Sequence, residues 1–397
     1  MGHTLVTFLG RVPRHQPGYQ QTTYTFPDGS ERRANFICWP LARWLEVDQV
    51  VVMGTPGSMW DELLSQEELG QSFEDQYEQL MEDVEVKRVS QAQLDAVAPV
   101  LSEALDMDIR LALIPEALEE AEQVQLLTDL AHAAPEKGRL SMDVTHGFRH
   151  LPMLGLTAAL YLRSVRPALN IEGLWYGAHN SDMGLSKLTD LSGLLHINDW
   201  IAAWQRFDWL GDYGAVSPLI EAQDRQLAHE LKRGAYLEGI HRGQQARGHL
   251  RTARKRLAEQ PLAGPGQLFQ PELEARTAWV EGQQLYLRQR DHAYAALERE
   301  DYMRAALYGF EAFITKLVQE NRSSDKVNDP QVRQAEKEHF EDLRPREIWR
   351  DYRILRDLRN VLAHGNEAPA GEVQSALAAP DKLRDLISRL LGVLLAD

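Results

Sequence analysis

The sequence predicts an α/β domain with a mostly parallel sheet, followed by a domain that is helical throughout. In the first half, short apolar runs that end in glycine or polar turns alternate with segments of helical spacing. Because parallel strands need a long crossover connection, this alternation favours a sheet covered by helices on both faces. After about residue 192, helical spacing continues almost without interruption. The 397 residues are enough for two or three domains.

The strands of the first half are predicted from compact apolar runs and from one hairpin signal, the Asp28-Gly29 pair between β-forming residues. A helix with apolar spacing is predicted over residues 152–165, behind the strand that ends near Gly147. The predicted strands, in chain order, are residues 4–10, the two arms of the hairpin within 20–37, the start of 47–60, 84–89, the start of 139–147, 170–179 and 185–191.

The second half is predicted to be a helical bundle, with an interruption at residues 261–272 that resembles a linker because it is rich in proline and glycine. Three tryptophans, Trp200, Trp204 and Trp209, favour a buried core over a dimer interface. The predicted helices are residues 196–213, two within 277–319, one over 345–364 and one over 380–396. We expect three parts: residues 1–192, 193–299 and 300–397.

Composition limits the function. The net charge of −16 argues against a protein that coats nucleic acid through its overall charge. Residues 225–257 form a basic segment, with nine Lys or Arg and two acidic residues. This basic segment is either a solvated helix face or a nucleic-acid surface. These cations are Arg225, Lys232, Arg233, Arg242, Arg247, Arg251, Arg254, Lys255 and Arg256. A single cysteine fits a reducing cytoplasm, and neither a membrane span nor an export leader is expected.

Three predicted strands end in small, polar or cationic residues. Since ligands bind beyond the carboxyl ends of parallel strands, these turns predict one rim suited to a phosphate-bearing ligand. Glycine permits close backbone approach, hydroxyls donate hydrogen bonds and arginine supplies charge. The candidate ligand-binding residues are Gly10, Arg11, Thr55, Pro56, Gly57, Ser58, Asp143, Thr145, His146, Gly147, Phe148 and Arg149.

Several of these residues also have a purely structural interpretation. Asp143 can cap its turn as readily as contact a ligand, and Phe148 is expected in the core more than as a stacking platform for a ligand. Ser58 and Asp61 fit a capping box at a helix start. His146 and His150, four residues apart, lack a third ligand, so no metal is expected.

The stretch RNVLAH places Arg359, Asn360 and His364 near the end of a predicted helix. Asn360 and His364 share a helix face, and Arg359 lies partly round the helix from His364. An imidazole that exchanges protons near neutrality and a permanent guanidinium suit phosphodiester cleavage when the ribose 2′-hydroxyl is the nucleophile. That chemistry needs no metal. The alternative is a surface helix end at which the helix dipole favours a histidine.

Two resemblances cover about residues 1–192 and 300–397. DVTHGFRHLP (143–152), with LVTFLG and VVVMGTPGSMW, resembles the Rossmann-like CARF sensor domains of type III CRISPR ancillary nucleases, which bind cyclic oligoadenylates. RNVLAH, preceded by YMRAALYGFEAFI (302–314), resembles the all-α HEPN ribonucleases. In that family two motifs meet across a dimer. The fold implied is a CARF domain followed by a HEPN domain.

The resemblances imply a homodimeric endoribonuclease of antiviral defence. A cyclic oligoadenylate, with cyclic tetra-adenylate preferred, would activate cutting of single-stranded RNA without a cofactor by Arg359, Asn360 and His364. Two other functions stay open. The chain is a sensor whose helical half only binds a partner or nucleic acid, or its CARF domain also degrades the activator as a ring nuclease.

Overall fold

The computed structural model describes residues 2–12, 19, 21–64, 74–180, 185–282, 284–321 and 327–396. Two compact units divide the chain, Met1–Asn198 and Asp199–Asp397. The observed fold class is the predicted one, an α/β unit with a mostly parallel sheet followed by an all-helical unit. The finer division at residues 192 and 299 stays a prediction. No helix in the described part of the chain has the length and apolarity that crossing a membrane requires.

The amino-terminal unit is built on one sheet, which in the described residues has eight strands in the order β3-β2-β8-β7-β6-β1-β4-β5. Pairing is parallel except at β2–β3 and β7–β8. The strands are β1 His3–Leu9, β2 Thr22–Thr25, β3 Glu31–Ala34, β4 Gln49–Gly54, β5 Asp108–Leu113, β6 Gly138–Asp143, β7 Leu169–Asn180 and β8 Leu185–Asp190.

The sheet is buried on both faces, as the apolar strands predict. Alternate residues of β1 enter different cores: Leu5 and Leu9 pack in one cluster, Val6 and Phe8 in another. Successive strand side chains point to opposite faces, so a continuous apolar run fits only a sheet covered twice. The helices of this unit are α1 Cys38–Trp44, α2 Glu74–Glu85, α3 Gln91–Leu105, α4 Glu120–Ala133 and α5 Leu151–Val165.

Two strand assignments from the sequence were wrong. Residues 84–89 are not a strand: α2 ends at Glu85, and Lys87 has a positive φ of 55° before Ser90 caps α3. The alternation of apolar and charged residues there marks a helix end. The strand that was missed is β5, whose exposed and buried residues alternate at the sheet edge.

The carboxyl-terminal half is helical in all its described elements. The helices are α6 Gly193–Leu210, α7 Ser217–Ile220, α8 Arg225–Gly239, α9 Gly243–Glu259, α10 Gly266–Thr277, α11 Leu285–Glu298, α12 Tyr302–Asn321, α13 Pro330–Leu343, α14 Trp349–His364, α15 Glu372–Ala376 and α16 Pro380–Leu394. Short 3-10 turns separate some of them. The predicted linker at 261–272 is shorter than expected, because α10 begins at Gly266 behind Pro265.

Two apolar clusters organise this unit. One contains Trp200 and residues of α8 and α9, and the other is formed by α11, α12, α14 and α16. Trp204 packs partly against the first cluster, so two of the three tryptophans contribute to a core as predicted. The prediction was wrong for Trp209, which is 78% exposed.

Candidate functional site

The three predicted turns lie side by side at one edge of the sheet. β1 is hydrogen-bonded to β4 on one side and to β6 on the other. In register, Leu9 at the end of β1 is opposite Gly54 at the end of β4, and Thr7 is opposite Asp143 at the end of β6. Parallel pairing therefore brings three carboxyl ends, far apart in sequence, onto the predicted rim. That this rim holds a ligand stays a prediction.

Gly10 and Gly147 bring the first and third turns into backbone contact. A Cβ on Gly10 would lie 2.5 Å from the Gly147 nitrogen and 2.6 Å from its Cα. Gly147 has a φ of 101°, a backbone conformation that residues with a side chain rarely adopt. The two glycines thus set the floor of the rim.

In the turn at residues 55–58, the hydroxyl groups form hydrogen bonds within the protein. The Thr55 N–H donates to Ser58 Oγ at 2.9 Å, and Ser58 Oγ donates to the Leu9 carbonyl at 2.8 Å. Both side chains are buried. The capping-box alternative was wrong, because the 3-10 turn that follows begins behind Met59 without a side-chain cap. The Ser58 hydroxyl therefore ties β4 to β1 and does not cap a helix.

Arg11 and Gly57 contact residues near the end of α2. Arg11 donates one hydrogen bond to the Val84 carbonyl at 3.1 Å and pairs with Glu85 at 3.2 Å. A Cβ on Gly57 would meet the Lys87 side chain at 2.8 Å. The guanidinium of Arg11 is thus already partnered within this unit.

Asp143 caps its turn, the structural role that the sequence left open. Its carboxylate is fully buried and accepts from Thr7 Oγ1 at 2.7 Å and from the Thr145 N–H at 3.0 Å. The Thr145 hydroxyl oxygen accepts in turn from the Gly177 N–H at 2.8 Å. These bonds fix the turn to β1 and β7. The two side chains position the rim.

His146 lies between aromatic rings beneath the rim. Its ring centroid is 4.6 Å from that of Tyr19 and 5.2 Å from that of Phe36. Burial lowers its pKa, against the opposing charge of Asp143, and its Nε2 has no hydrogen-bond partner among the described residues. Tyr19 Oη accepts from the Gly10 N–H at 2.8 Å. Neither Tyr19 nor Phe36 was anticipated, since neither belongs to a motif.

Gly147, Phe148 and Arg149 are the exposed part of the third turn. Phe148 was expected in the core, but the turn projects it outward, 41% exposed and stacked on His150 with centroids 5.6 Å apart. His150 Nε2 is hydrogen-bonded to the Glu116 carbonyl at 2.8 Å. An exposed aromatic ring beside an exposed guanidinium suits a ligand that carries both bases and phosphates.

The second group of predicted residues lies at the end of α14. His364 is the last residue of this helix and is exposed, and Gly365 ends the helix with a φ of 65°. Asn360 lies one turn before His364 on the same face and is half-buried. The imidazole does not point into an apolar interior.

Arg359 is held against the neighbouring helix α12. Its guanidinium carbon lies 4.4 Å from the centroid of the Phe310 ring, and its Nε is buried without a hydrogen-bond partner in the described residues. Arg356, three residues earlier, differs, because it pairs with Asp357 at 3.0 Å and with Glu341 at 3.4 Å. The charge of Arg359 is therefore not neutralised by a described carboxylate, while its side chain is fixed by the aromatic face.

Comparison with known proteins finds a family similarity that is confined to the amino-terminal unit. Residues 4–179 match the family model for the CARF domain of the CRISPR system endoribonuclease Csx1. CRISPR-associated protein MJ1674 of Methanocaldococcus jannaschii is 24% identical over 237 residues, which are 54% of this chain and 37% of that protein. The chain therefore spans little more than a third of that relative's length.

The solved structures that resemble this chain include one whose alignment spans its full length. Csm6 of Enterococcus italicus, bound to cyclic hexa-2′-fluoro-hexa-dAMP, covers 100% of this chain, and the alignment includes 94% of that protein. The sequence identity is 12% and the TM-score is 0.40.

Proposed function

We propose that this chain, whose residues 4–179 match the family model of a CRISPR-associated CARF domain, is a ribonuclease activated by a cyclic oligoadenylate. The activator binds at the rim of β1, β4 and β6, and the RNA is cut at the end of α14. We further propose that cleavage needs no metal and that the substrate is single-stranded RNA.

The observation that carries the nuclease proposal is the pair of Arg359 and His364 on α14. His364 is exposed and Arg359 has no described carboxylate partner. The imidazole removes the proton from the ribose 2′-hydroxyl or protonates the leaving 5′-oxygen, and the guanidinium stabilises the charge that develops on phosphorus. Asn360, one turn from His364, orients the phosphate or the imidazole.

A homodimer supplies the second half of this site. General-acid and general-base steps require two proton carriers, and the described motif offers one histidine per chain. In a dimer with two-fold symmetry, the His364 and Arg359 of both chains converge on one phosphodiester. A symmetric cyclic ligand fits a symmetric sensor dimer for the same reason. Ligand binding activates cleavage only by favouring the competent arrangement of the two helices.

At the sensor rim, Phe148 and Arg149 are the side chains best placed for the ligand. The aromatic face stacks on an adenine, and the guanidinium pairs with a phosphate. Gly10 and Gly147 let the ring approach the backbone closely. We propose cyclic tetra-adenylate as the activator, by the resemblance of the 143–152 turn to CARF domains.

The test is a fluorogenic single-stranded RNA assay with cyclic tri-, tetra- or hexa-adenylate. We expect one ring to stimulate cutting in the presence of EDTA, with 2′,3′-cyclic phosphate and 5′-hydroxyl products. His364→Ala should reduce stimulated cutting by at least about 100-fold. Arg353→Ala, an exposed residue of the same helix, is the matched control. Unchanged cutting by His364→Ala would reject the assignment of the proton carrier.

The alternative of a sensor without catalysis rested on the basic segment, and five of its nine cations have partners within the helical unit. Arg256 pairs with Asp224, Arg251 with Glu281 and Lys255 with Glu259. Arg247 and Arg254 donate to backbone carbonyls of neighbouring segments. These contacts favour a structural role for α9. The ring-nuclease alternative is tested by incubating the His364→Ala chain with the activator and searching for linear products.

A further inference from the structure

The helical unit contains a cavity of about 610 Å³ that shares no residue with the sensor rim or with the Arg359–His364 motif. It lies between the end of α6 and helices α8, α11 and α12, within residues 206–308. Its size falls in the range of about 300–1,000 Å³ that small-molecule sites occupy. The proposed nuclease function assigns no role to it.

The cavity is lined by four cations, Arg206, Lys232, Arg299 and Arg304, in a chain whose net charge is −16. Arg206 pairs with Asp212 at 2.8 Å, and Arg304 is tied to residues beside the cavity. Lys232 and Arg299 form no hydrogen bond or ion pair in the part of the chain that the structure describes. These two side chains leave positive charge available for an anion.

The floor of the cavity holds two buried polar side chains with unused hydrogen-bonding atoms. Glu238 Oε2 and His292 Nε2 are buried and have no partner among the described residues. His292 is 9% exposed, and its ring lies between Trp279 and Tyr308, with centroids 4.3 and 5.1 Å away. The two side chains lie together, with His292 Nδ1 3.6 Å from Glu238 Oε1. Buried polar atoms are normally hydrogen-bonded, so two unsatisfied atoms in residues that line one cavity point to a partner that the described residues do not supply.

Burial favours the uncharged form of both floor groups. Burial raises the pKa of the Glu238 carboxyl to about 8, against the opposing charges of Arg299 and Arg304. Burial lowers the pKa of His292 to about 3. A protonated carboxyl donates one hydrogen bond and accepts others, and a neutral imidazole does the same. The floor can therefore recognise a neutral, polar group, while the anion lies against the cations.

The mouth of the cavity is apolar. Leu210, Tyr236 and Ile240 line it and are 58%, 54% and 48% exposed, so three large apolar side chains border one cavity. The Arg233 guanidinium carbon lies 5.1 Å from the centroid of the Tyr236 ring, so a flat aromatic ring would stack on the opposite face of Tyr236, beside the aliphatic groups. Cations, neutral hydrogen-bonding groups and an apolar wall together match the phosphate, ribose and base of one nucleotide.

We propose that this cavity is a second ligand site, which binds a single nucleoside phosphate through Lys232 and Arg299, with the base against Tyr236 and a hydroxyl or ring nitrogen on Glu238 and His292. The shared chemistry is a terminal phosphate on one nucleoside. Its source is either a free nucleotide or the phosphorylated end of a nucleic-acid chain.

The experiment is calorimetric titration of the full chain with 5′-AMP, adenosine, and a deoxy-oligonucleotide that carries or lacks a 5′-phosphate. We expect saturable binding of 5′-AMP or of the phosphorylated oligonucleotide. The matched compound without the phosphate, adenosine or the unphosphorylated oligonucleotide, should bind at least tenfold more weakly. Tighter binding of the oligonucleotide would identify a chain end, and binding of 5′-AMP alone a free nucleotide. Either result supports the proposal.

Variants assign the binding to the cavity. Lys232→Ala and Arg299→Ala should each weaken binding of the phosphorylated probe at least fivefold. Because Lys232 is exposed and has no described partner, Lys232→Ala should keep the fold. Lys255→Ala, whose side chain is 76% exposed outside the cavity, is the matched control and should leave binding unchanged. No saturable binding of either phosphorylated probe up to about 5 mM, or binding that both cavity variants leave unchanged, would overturn the proposal.

Discussion

Replacing Gly10 with alanine tests the backbone contact on which the sensor rim is built. The new Cβ would lie 2.5 Å from the Gly147 nitrogen and 2.6 Å from its Cα, closer than real Cβ atoms come to any heavy atom. Both contacts are backbone atoms, so no side-chain rotation can relieve them. The first and third turns must separate for the variant to fold.

The expected cost is about 3 kcal/mol, the upper part of the range for overpacking a filled site. Gly29→Ala is the control within the same unit. Gly29 has a φ of 82° but no heavy atom within 4 Å of the built Cβ, so this variant suffers only the conformational cost of about 1 kcal/mol. The comparison separates steric contact from backbone strain.

Differential scanning calorimetry of the full chain measures both variants. At about 2–4 °C per kcal/mol for a unit of this size, Gly10→Ala should lower the Tm of the affected transition by about 6–12 °C and Gly29→Ala by about 2–4 °C. Gly10→Ala should also weaken activator binding. Equal shifts for the two variants would refute the close approach of Gly10 and Gly147.

Three further predictions concern buried charge and fixed side chains. The Glu238 carboxyl has its ordinary pKa of 4.5 in the unfolded chain and a pKa of about 8 in the folded chain, so the free energy of unfolding should fall as pH rises between these values. The lowered pKa of His292 has the opposite effect, but only below about pH 6.5. Urea midpoints should therefore drop from pH 6.5 to 8 in the wild type and stay level in Glu238→Gln. Arg359→Lys keeps the charge but loses the planar contact with Phe310, so stimulated RNA cutting should fall about 100-fold. The free energy of unfolding, measured by urea denaturation, should change by less than about 1 kcal/mol. Asp143→Asn removes a charged acceptor from two buried hydrogen bonds and should destabilise the chain by about 1–3 kcal/mol in the same assay.

Each of these predictions has an outcome that contradicts it. A midpoint that falls equally in wild type and Glu238→Gln would assign the pH dependence to another group. Full activity of Arg359→Lys would show that a point charge suffices at this position. An unchanged midpoint in Asp143→Asn would mean that the buried carboxylate contributes little to the turn.

The sequence was sufficient for the architecture, because periodicity and turn chemistry are local. Apolar runs ending at Gly10, Gly54 and Gly147 predicted a parallel sheet with a common rim, and helical spacing predicted the second half. Local patterns were misleading where one signal serves two structures. Residues 84–89 alternate as a strand does, but they end a helix.

By itself, then, the sequence determined the fold class and the polar character of the strand ends, since both depend on neighbours along the chain, although it missed β5 and misassigned residues 84–89. Only the tertiary structure decided which polar groups are available. The Asp143 carboxylate already accepts a hydrogen bond from Thr7, 136 residues away in sequence, whereas Phe148 and Arg149 are exposed. The cavity around Glu238 and His292 likewise has no signature in sequence, because burial and hydrogen-bond satisfaction depend on segments that meet only in the fold.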